Sequence, residues 1–300
     1  MRIPAGPRTA ALALAVAVLT SFTSGPMITA TAPTPPAAVA AWRLWLAAAA
    51  LAPFGLGAAA RSPTLGRWPG RLWTVGAGMA LAAHFYLWIG ALRLTTIAPA
   101  VTLVNAAPLP LLALEAILFG RRPSPGQWVG VAVSLGGMVL LGGGDWSLRG
   151  TAGLGDALAL GGAVASAAYL LAGRAVRPSL GAVPYNLCVF TVAATALTGL
   201  AMASGAPLGG FPTRVWILLG ALALLPTLLG HALANYSLAQ IPPASVSLAY
   251  LLEPLGAAAI GFVWLHQAPT LAEAVGGLAT LAGLAMYLRV APGTAAAPAG

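Results

Sequence analysis

Charged side chains are too scarce along this chain for a water-soluble fold, and this scarcity limits the fold more than any single motif. Charged residues make up 6% of the 300 residues and hydrophobic residues 59%, whereas an ordinary soluble domain carries roughly 25% charged residues. Fourteen arginines and five acidic residues cannot cover the surface of a chain of this length. The apolar surface must therefore contact lipid, and we predict an all-α membrane protein whose partner is the lipid bilayer.

Ten apolar stretches are long enough to cross the bilayer, which takes roughly 20 residues of helix. Arginines and clusters of proline and glycine separate these stretches. They cover approximately 10–31, 37–60, 72–92, 97–119, 124–142, 153–173, 182–203, 213–236, 243–265 and 269–289. We predict ten transmembrane helices joined by short connections.

The first stretch has two interpretations. Two arginines, a short apolar run and small residues near position 30 also describe a cleavable signal peptide. We favour a retained helix, because removal of residues 1–31 would break the internal symmetry of the chain.

The arginines indicate how the chain is oriented, since basic residues collect in cytoplasmic connections. If the N-terminus is cytoplasmic, ten arginines lie on the cytoplasmic side. Three lie outside, and these are Arg93, Arg149 and Arg214. We therefore expect a multi-pass protein of the cell (plasma) membrane with both termini in the cytoplasm.

The chain repeats itself at an offset of 146 residues, which superimposes prolines and glycines as well as apolar residues. The matching pairs include Leu92 and Leu238, Pro108 and Pro254, Gly130 and Gly276, and Gly137 and Gly283. Each half holds five predicted helices, so the second copy must be inverted in the membrane. Inverted repeats support alternating access, with a substrate site near the midplane. We predict repeats at 1–142 and 153–290, a connecting loop at 143–152 and a disordered tail at 291–300.

Several motifs resemble the EamA domain of the drug/metabolite transporter (DMT) superfamily over essentially the whole chain. The first copy carries Ala91-Leu92-Arg93-Leu94-Thr95-Thr96, Pro108-Leu109 and the stretch from Gly120-Arg121-Arg122-Pro123 to Val129-Gly130. The second copy carries Tyr250-Leu251-Leu252-Glu253-Pro254, Gly276-Gly277 and Gly283. The resemblance implies ten helices, an inverted repeat, and export or exchange of amino acids and other small metabolites. The chain departs from the family at Gly120-Arg121 and His266-Gln267, where a Gly-Glu pair is common.

Glu253 is the first candidate for a transport residue, because ionisable groups inside the membrane are costly and usually functional. It lies about ten residues into the ninth stretch, roughly 15 Å deep, and Pro254 follows it as a helix-break candidate, as Pro108 does in the fourth stretch. Two interpretations stay open. Glu253 carries a proton or binds a substrate ammonium group, or its carboxyl forms structural hydrogen bonds at a broken helix.

Four further residues are candidates for substrate binding or coupling, and each has a simpler structural interpretation. Arg43 can bind a substrate carboxylate, although extension to the outer headgroups is the simpler account. His84, near the middle of the third stretch, can line the cavity or only pack. Asn105 and Tyr250 lie at suitable depths, and interhelical hydrogen bonds explain both equally well.

The remaining patterns favour a secondary transporter over other classes of membrane protein. The sequence contains no phosphate-binding loop for ATP and no basic face for nucleic acid. His84, His231 and His266 fall on separate stretches and Cys188 is alone, so we expect no metal site, no cofactor and no enzyme activity. The partners we expect are a small-molecule substrate and, as an open alternative for coupling, protons. A polytopic membrane enzyme and a non-transporting membrane scaffold remain the alternatives.

Overall fold

The computed structural model describes residues 6–120, 123–141, 150–256 and 270–290, and the regular structure there is helical. Seven helices are long and apolar enough to cross a membrane, and shorter helices occupy the other predicted stretches, so the predicted all-α membrane fold is confirmed. In chain order the helices are α1 (Pro7–Ala30), α2 (Pro36–Ala60), α3 (Trp68–Leu94), α4 (Ile97–Val104 and Pro108–Phe119), α5 (Pro125–Leu141), α6 (Gly150–Val176), α7 (Ala182–Ala203), α8 (Thr213–Ser237), α9 (from Pro243–Ala249 onward) and α10 (Leu271–Val290).

Three sequence predictions fall partly or wholly outside the described residues. They are the second part of the stretch 243–265, most of the connecting loop 143–152, and the tail 291–300. The residues Arg121, His266 and Gln267, which depart from the family pattern, lie there as well.

Proline and glycine determine where several helices begin and end. Helices α2, α5 and α9 begin at Pro36, Pro125 and Pro243, where the missing N–H of proline costs no helical hydrogen bond. Helix α4 ends at Gly120, whose φ of 64° is left-handed and strained for a residue with a side chain. The proline and glycine residues that separate the apolar stretches in the sequence are therefore also the physical cause of these helix ends.

Large apolar side chains remain exposed on the outer surface of the helix bundle. Phe54, Ile117, Met202 and Ile217 are each at least 67% exposed. Such residues would be unfavourable in water but are the normal outer surface of a protein in lipid.

Helices α5 and α10 pack at a distance that glycine alone permits, and their contacts are reciprocal. A side-chain carbon on Gly130 would lie 2.9 Å from the carbonyl oxygen of Gly283, and one on Gly137 would lie 2.5 Å from that of Gly276. Between these contacts the Ser134 hydroxyl donates to the Thr280 carbonyl at 3.2 Å, and the Thr280 hydroxyl donates to the Ser134 carbonyl at 3.3 Å.

These exchanged contacts follow the repeat offset, because Gly130, Ser134 and Gly137 become Gly276, Thr280 and Gly283 when 146 is added. Two surfaces that contact each other's equivalent residues are related by a local two-fold axis. This arrangement agrees with two inverted halves.

The two halves also contact each other through further helix pairs, of which three show close packing at named residues. Helix α3 packs on α6 at Gly155, where an added side-chain carbon would lie 2.9 Å from Thr95. Helix α2 packs on α7, with Gly55 close to Leu187. Helix α1 contacts α8, and the Ser237 hydroxyl donates to the Ala10 carbonyl at 2.8 Å. Small residues allow this close approach without a hydrophobic driving force from water.

Candidate functional site

A central cavity lies between helices of both halves and has about 630 Å³ of empty space, its opening included. Its lining includes six side chains with a titratable or amide group. They are His84 on α3, Asn105 on α4, Tyr169 on α6, His231 on α8, and Tyr250 and Glu253 on α9. The structure thus brings together four of the five binding or coupling candidates predicted from the sequence, and only Arg43 is absent from the lining.

Two helices are interrupted beside the cavity, at matching positions of the two halves. Helix α4 stops at Val104 and resumes at Pro108. Helix α9 changes to a tight 3₁₀ turn at Tyr250–Leu252 just before Glu253 and Pro254. Proline cannot donate a helical hydrogen bond, and irregular backbone is tolerated at membrane depth where it is buried in protein or lines a cavity.

Glu253 joins the two interrupted helices. Its side chain is 6% exposed, and the Asn105 side-chain amide donates to its Oε2 at 3.2 Å across 148 residues of sequence. The carboxyl therefore lies between the first and the second half of the chain. A change in its protonation alters a contact between parts that must move relative to each other if the halves exchange conformations.

The Arg43 side chain lies inside the helix bundle, so the expectation that it extends to the outer headgroups is wrong. The side chain is 0% exposed. Its Nε donates to Thr227 Oγ1 on α8 at 2.9 Å, and its guanidinium carbon lies 4.1 Å from the centre of the Phe85 ring on α3. The surrounding helices hold the guanidinium inside the bundle, where the ring stabilises the cation.

The partner of Arg43 belongs to an unusual part of α8. Residues Ala223–Ala232 form a π-helix that contains Pro226, and Thr227 Oγ1 also donates to the Leu222 carbonyl at 2.7 Å. Wider π turns are uncommon and concentrate at functional sites. Both Pro226 and His231 in this segment line the cavity.

His84 has one ring nitrogen committed to the second half of the chain. Its Nδ1 lies 2.9 Å from the Gly162 carbonyl on α6. A carbonyl only accepts, so Nδ1 carries the hydrogen, and in the neutral ring Nε2 is an acceptor. The ring centre lies 6.0 Å from that of His231, although the sequence places the two histidines in separate stretches.

Tyr250 and Trp88, which both line the cavity, carry buried polar atoms without a hydrogen-bond partner. These atoms are the Tyr250 hydroxyl and the Trp88 Nε1. An unsatisfied polar group inside a protein is costly, so both are available to a ligand. Within the ranges that the structure describes, no group of three or more His, Cys, Asp or Glu side chains is arranged to hold a metal ion.

A second polar cluster, which the sequence analysis did not find, connects α6, α7 and α8. The Asn235 amide donates to the Tyr169 hydroxyl and to Asn186 Oδ1, each at 2.5 Å. Just beyond the end of α6, Arg177 Nε donates to the Asn235 carbonyl at 2.7 Å. Burial lowers the pKa of Arg177 to about 10, which leaves it cationic at neutral pH. The sequence feature that could have indicated this cluster is the presence of polar residues within apolar stretches.

Comparison with known proteins supplies independent information about this arrangement. The model of the EamA-like transporter family matches residues 8–143 and 153–289. A solved structure, titled only "Crystal structure of protein", is similar with a TM-score of 0.75 and 22% sequence identity, covering 94% of this chain and 98% of that one. At that identity the likeness shows the fold alone. No curated protein matches the chain.

Proposed function

Because the chain belongs to the EamA-like transporter family and is therefore a membrane transporter rather than an enzyme, we propose that it is a secondary transporter that exports or exchanges small metabolites. The substrate binds in the central cavity and crosses the membrane by alternating access. The family places the chain in the lipid bilayer and gives it a small-molecule substrate. The class of metabolite, such as amino acids, is part of the proposal.

The inverted arrangement supports alternating access. Helices α5 and α10 contact each other reciprocally through residues 146 positions apart. Two halves with the same fold and opposite orientation can exchange conformations, so that the cavity opens first to one side and then to the other. The corresponding interruptions of α4 and α9 lie beside the cavity, the place expected for substrate and coupling-ion sites.

The observation that carries the proposal is the position of Glu253. Its carboxyl lines the cavity from α9, and it accepts a hydrogen bond from Asn105 on the other interrupted helix. Intramembrane carboxyls of this kind mark ion and substrate pathways. In our proposal Glu253 takes up and releases a proton during the cycle, while His84, Asn105 and Tyr250 contact the substrate.

Flux in reconstituted vesicles tests the function. The purified protein should exchange labelled metabolites across the vesicle membrane, and an imposed pH gradient should drive net flux. Glu253→Gln should still insert and fold, because the amide has nearly the same shape, but it should abolish the gradient-driven component, since an amide does not exchange a proton in this range.

Asp156→Asn is a matched control, because Asp156 is also a buried carboxyl in α6 but does not line the cavity. This variant should keep the gradient-driven flux. If purified Glu253→Gln equals the parent protein in both counterflow and gradient-driven flux, Glu253 is not the proton carrier. If the parent protein transports nothing from a broad metabolite screen, the proposed function is wrong.

We also propose that both termini face the cytoplasm and that the repeats extend over 1–142 and 153–290. The arginine distribution supports the orientation. The offset of 146 residues, visible in the packing of α5 on α10, supports the division.

A further inference from the structure

Arg43 is a buried cation that the protein leaves partly unsatisfied. Its side chain is 0% exposed, yet Nη1 and Nη2 have no hydrogen-bond partner. Only Nε has a hydrogen-bond partner, which is the neutral hydroxyl of Thr227. A charge removed from water is costly unless it is paired, so this guanidinium can stabilise an anion that comes close to it.

The guanidinium lies directly behind one wall of the cavity. Pro226, next to its partner Thr227, lines the cavity, as does His84 next to Phe85. The Phe85 ring contacts both the Arg43 guanidinium and the cavity-lining His231, and the ring centres of Phe85 and His231 are 4.9 Å apart. The positive charge of Arg43 is thus one side chain away from the ligand space, and the low dielectric of a buried site screens it little.

Glu253 is the opposite charge that faces the same space. It acts on Arg43 through the electrostatic field rather than through a direct ion pair. When Glu253 is ionised, its charge partly compensates Arg43. When Glu253 takes up a proton, the positive charge of Arg43 has no counterpart, and an anion in the cavity becomes the group that restores neutrality.

We propose that the cavity binds a small carboxylate on its Arg43 side, and that this binding is coupled to protonation of Glu253. The inference rests on the proposed transport function and adds the chemical class of the substrate. The positive charge of the guanidinium attracts a carboxylate more strongly than a neutral amide of nearly the same shape. Since linkage is reciprocal, the anion strengthens proton binding as much as the proton strengthens anion binding, and an anion and a proton cross the membrane together.

Other groups that face this space also enter the charge balance. They are His84 on α3, Tyr169 on α6, His231 on α8 and Tyr250 on α9 itself, while α1 contributes Ser21 and Ser24 and α4 contributes Asn105. Both histidines carry titratable imidazole rings. A test of coupling must therefore separate Glu253 from the histidines, which a substitution at Glu253 alone achieves.

Calorimetric titration of the purified full-length protein in detergent provides this test. The probes are two pairs of nearly equal shape, benzoate with benzamide and isobutyrate with isobutyramide, each measured in two buffers of different ionisation enthalpy. We expect at least one carboxylate to bind about tenfold more tightly than its amide or better, with net proton uptake at pH 8. Its apparent Kd should rise with pH by up to about tenfold per unit, the limit for one coupled proton.

Variants identify the two groups. Glu253→Gln should keep the preference for carboxylate but lose the proton uptake and the dependence of Kd on pH. Arg43→Gln should lose the preference for carboxylate over amide. The double variant Arg43→Gln with Glu253→Gln contains neither of these two buried charges, and it tests the same loss if the single variant does not fold. Arg214→Gln, which removes an exposed arginine at the outer end of α8, should behave as the parent protein.

Three results would overturn the inference. They are equal binding of every carboxylate and its amide by a folded parent protein, carboxylate binding without proton uptake, and a preference that survives in the double variant. These results do not depend on transport. A protein that moves metabolites in vesicles but shows no carboxylate preference refutes this inference alone, whereas absence of flux refutes the proposed function.

Discussion

The contact between α5 and α10 predicts different effects for the same substitution at two neighbouring glycines. Gly137 faces α10, and a side-chain carbon added there would lie 2.5 Å from the Gly276 carbonyl oxygen and from the Thr280 backbone nitrogen. Gly136 points away, and a carbon added there would have no atom within 4 Å. Gly137→Ala and Gly136→Ala therefore differ only in whether the new methyl group meets the partner helix.

The magnitudes follow from two opposing terms. Alanine is favoured over glycine inside a helix by about 1 kcal/mol, and both variants gain this. Ordinary contact distances are 3.4–4 Å, so only Gly137→Ala must push the helices apart by about 1 Å, and forcing a group into a packed interface costs about 1–3 kcal/mol. The two variants should thus differ by about 1–3 kcal/mol in free energy of unfolding, with Gly136→Ala the more stable.

Apparent melting temperature in one detergent, measured by tryptophan fluorescence or by retention of a monodisperse elution profile, checks the difference. At roughly 2–4 °C per kcal/mol for domains of 150–250 residues, the gap between the variants should be about 2–12 °C. Gly283→Ala should behave like Gly137→Ala, because its added carbon would meet the Gly130 carbonyl at 2.5 Å. Equal melting temperatures for Gly136→Ala and Gly137→Ala would show that α5 and α10 are not packed in this way.

Two other predictions concern topology and the second polar cluster. In a Cys188→Ser background, single cysteines at 61–71 and 121–125 should react with a thiol reagent only from the cytoplasmic side, because arginines favour the cytoplasm. Single cysteines at 142–152 should react only from outside. Labelling of 61–71 from outside would reverse the orientation and contradict the inverted-repeat argument. Asn235→Ala should lower the free energy of unfolding by about 1 kcal/mol. The reason is that each interhelical hydrogen bond in a membrane is worth about 0.6 kcal/mol and the Asn235 side chain makes two. An unchanged melting temperature would mean that these bonds contribute nothing to stability.

The sequence alone was sufficient for the class of structure and for the positions of the helices. Long apolar stretches with few charges leave lipid as the surrounding medium, and in lipid a single stretch can satisfy its backbone only as a helix. Pro36, Pro125, Pro243 and Gly120 end or begin helices for local reasons that need no tertiary contact. The offset of 146 residues likewise indicated the inverted repeat before any packing was known.

Only the tertiary structure decided which polar side chains meet. Arg43 was expected at the headgroups because a nearly all-apolar helix carries no pattern that tells its inner face from its lipid face, and the fold instead buries it against Thr227, 184 residues away. Asn105 reaches Glu253 across 148 residues, and His84 faces His231 although the sequence places them on separate helices. The π-helix around Pro226 was not predicted either. In a membrane the periodicity of polar and apolar residues is weak because lipid and core are equally apolar, so helix rotation and partner choice depend on close packing and hydrogen bonds between distant segments.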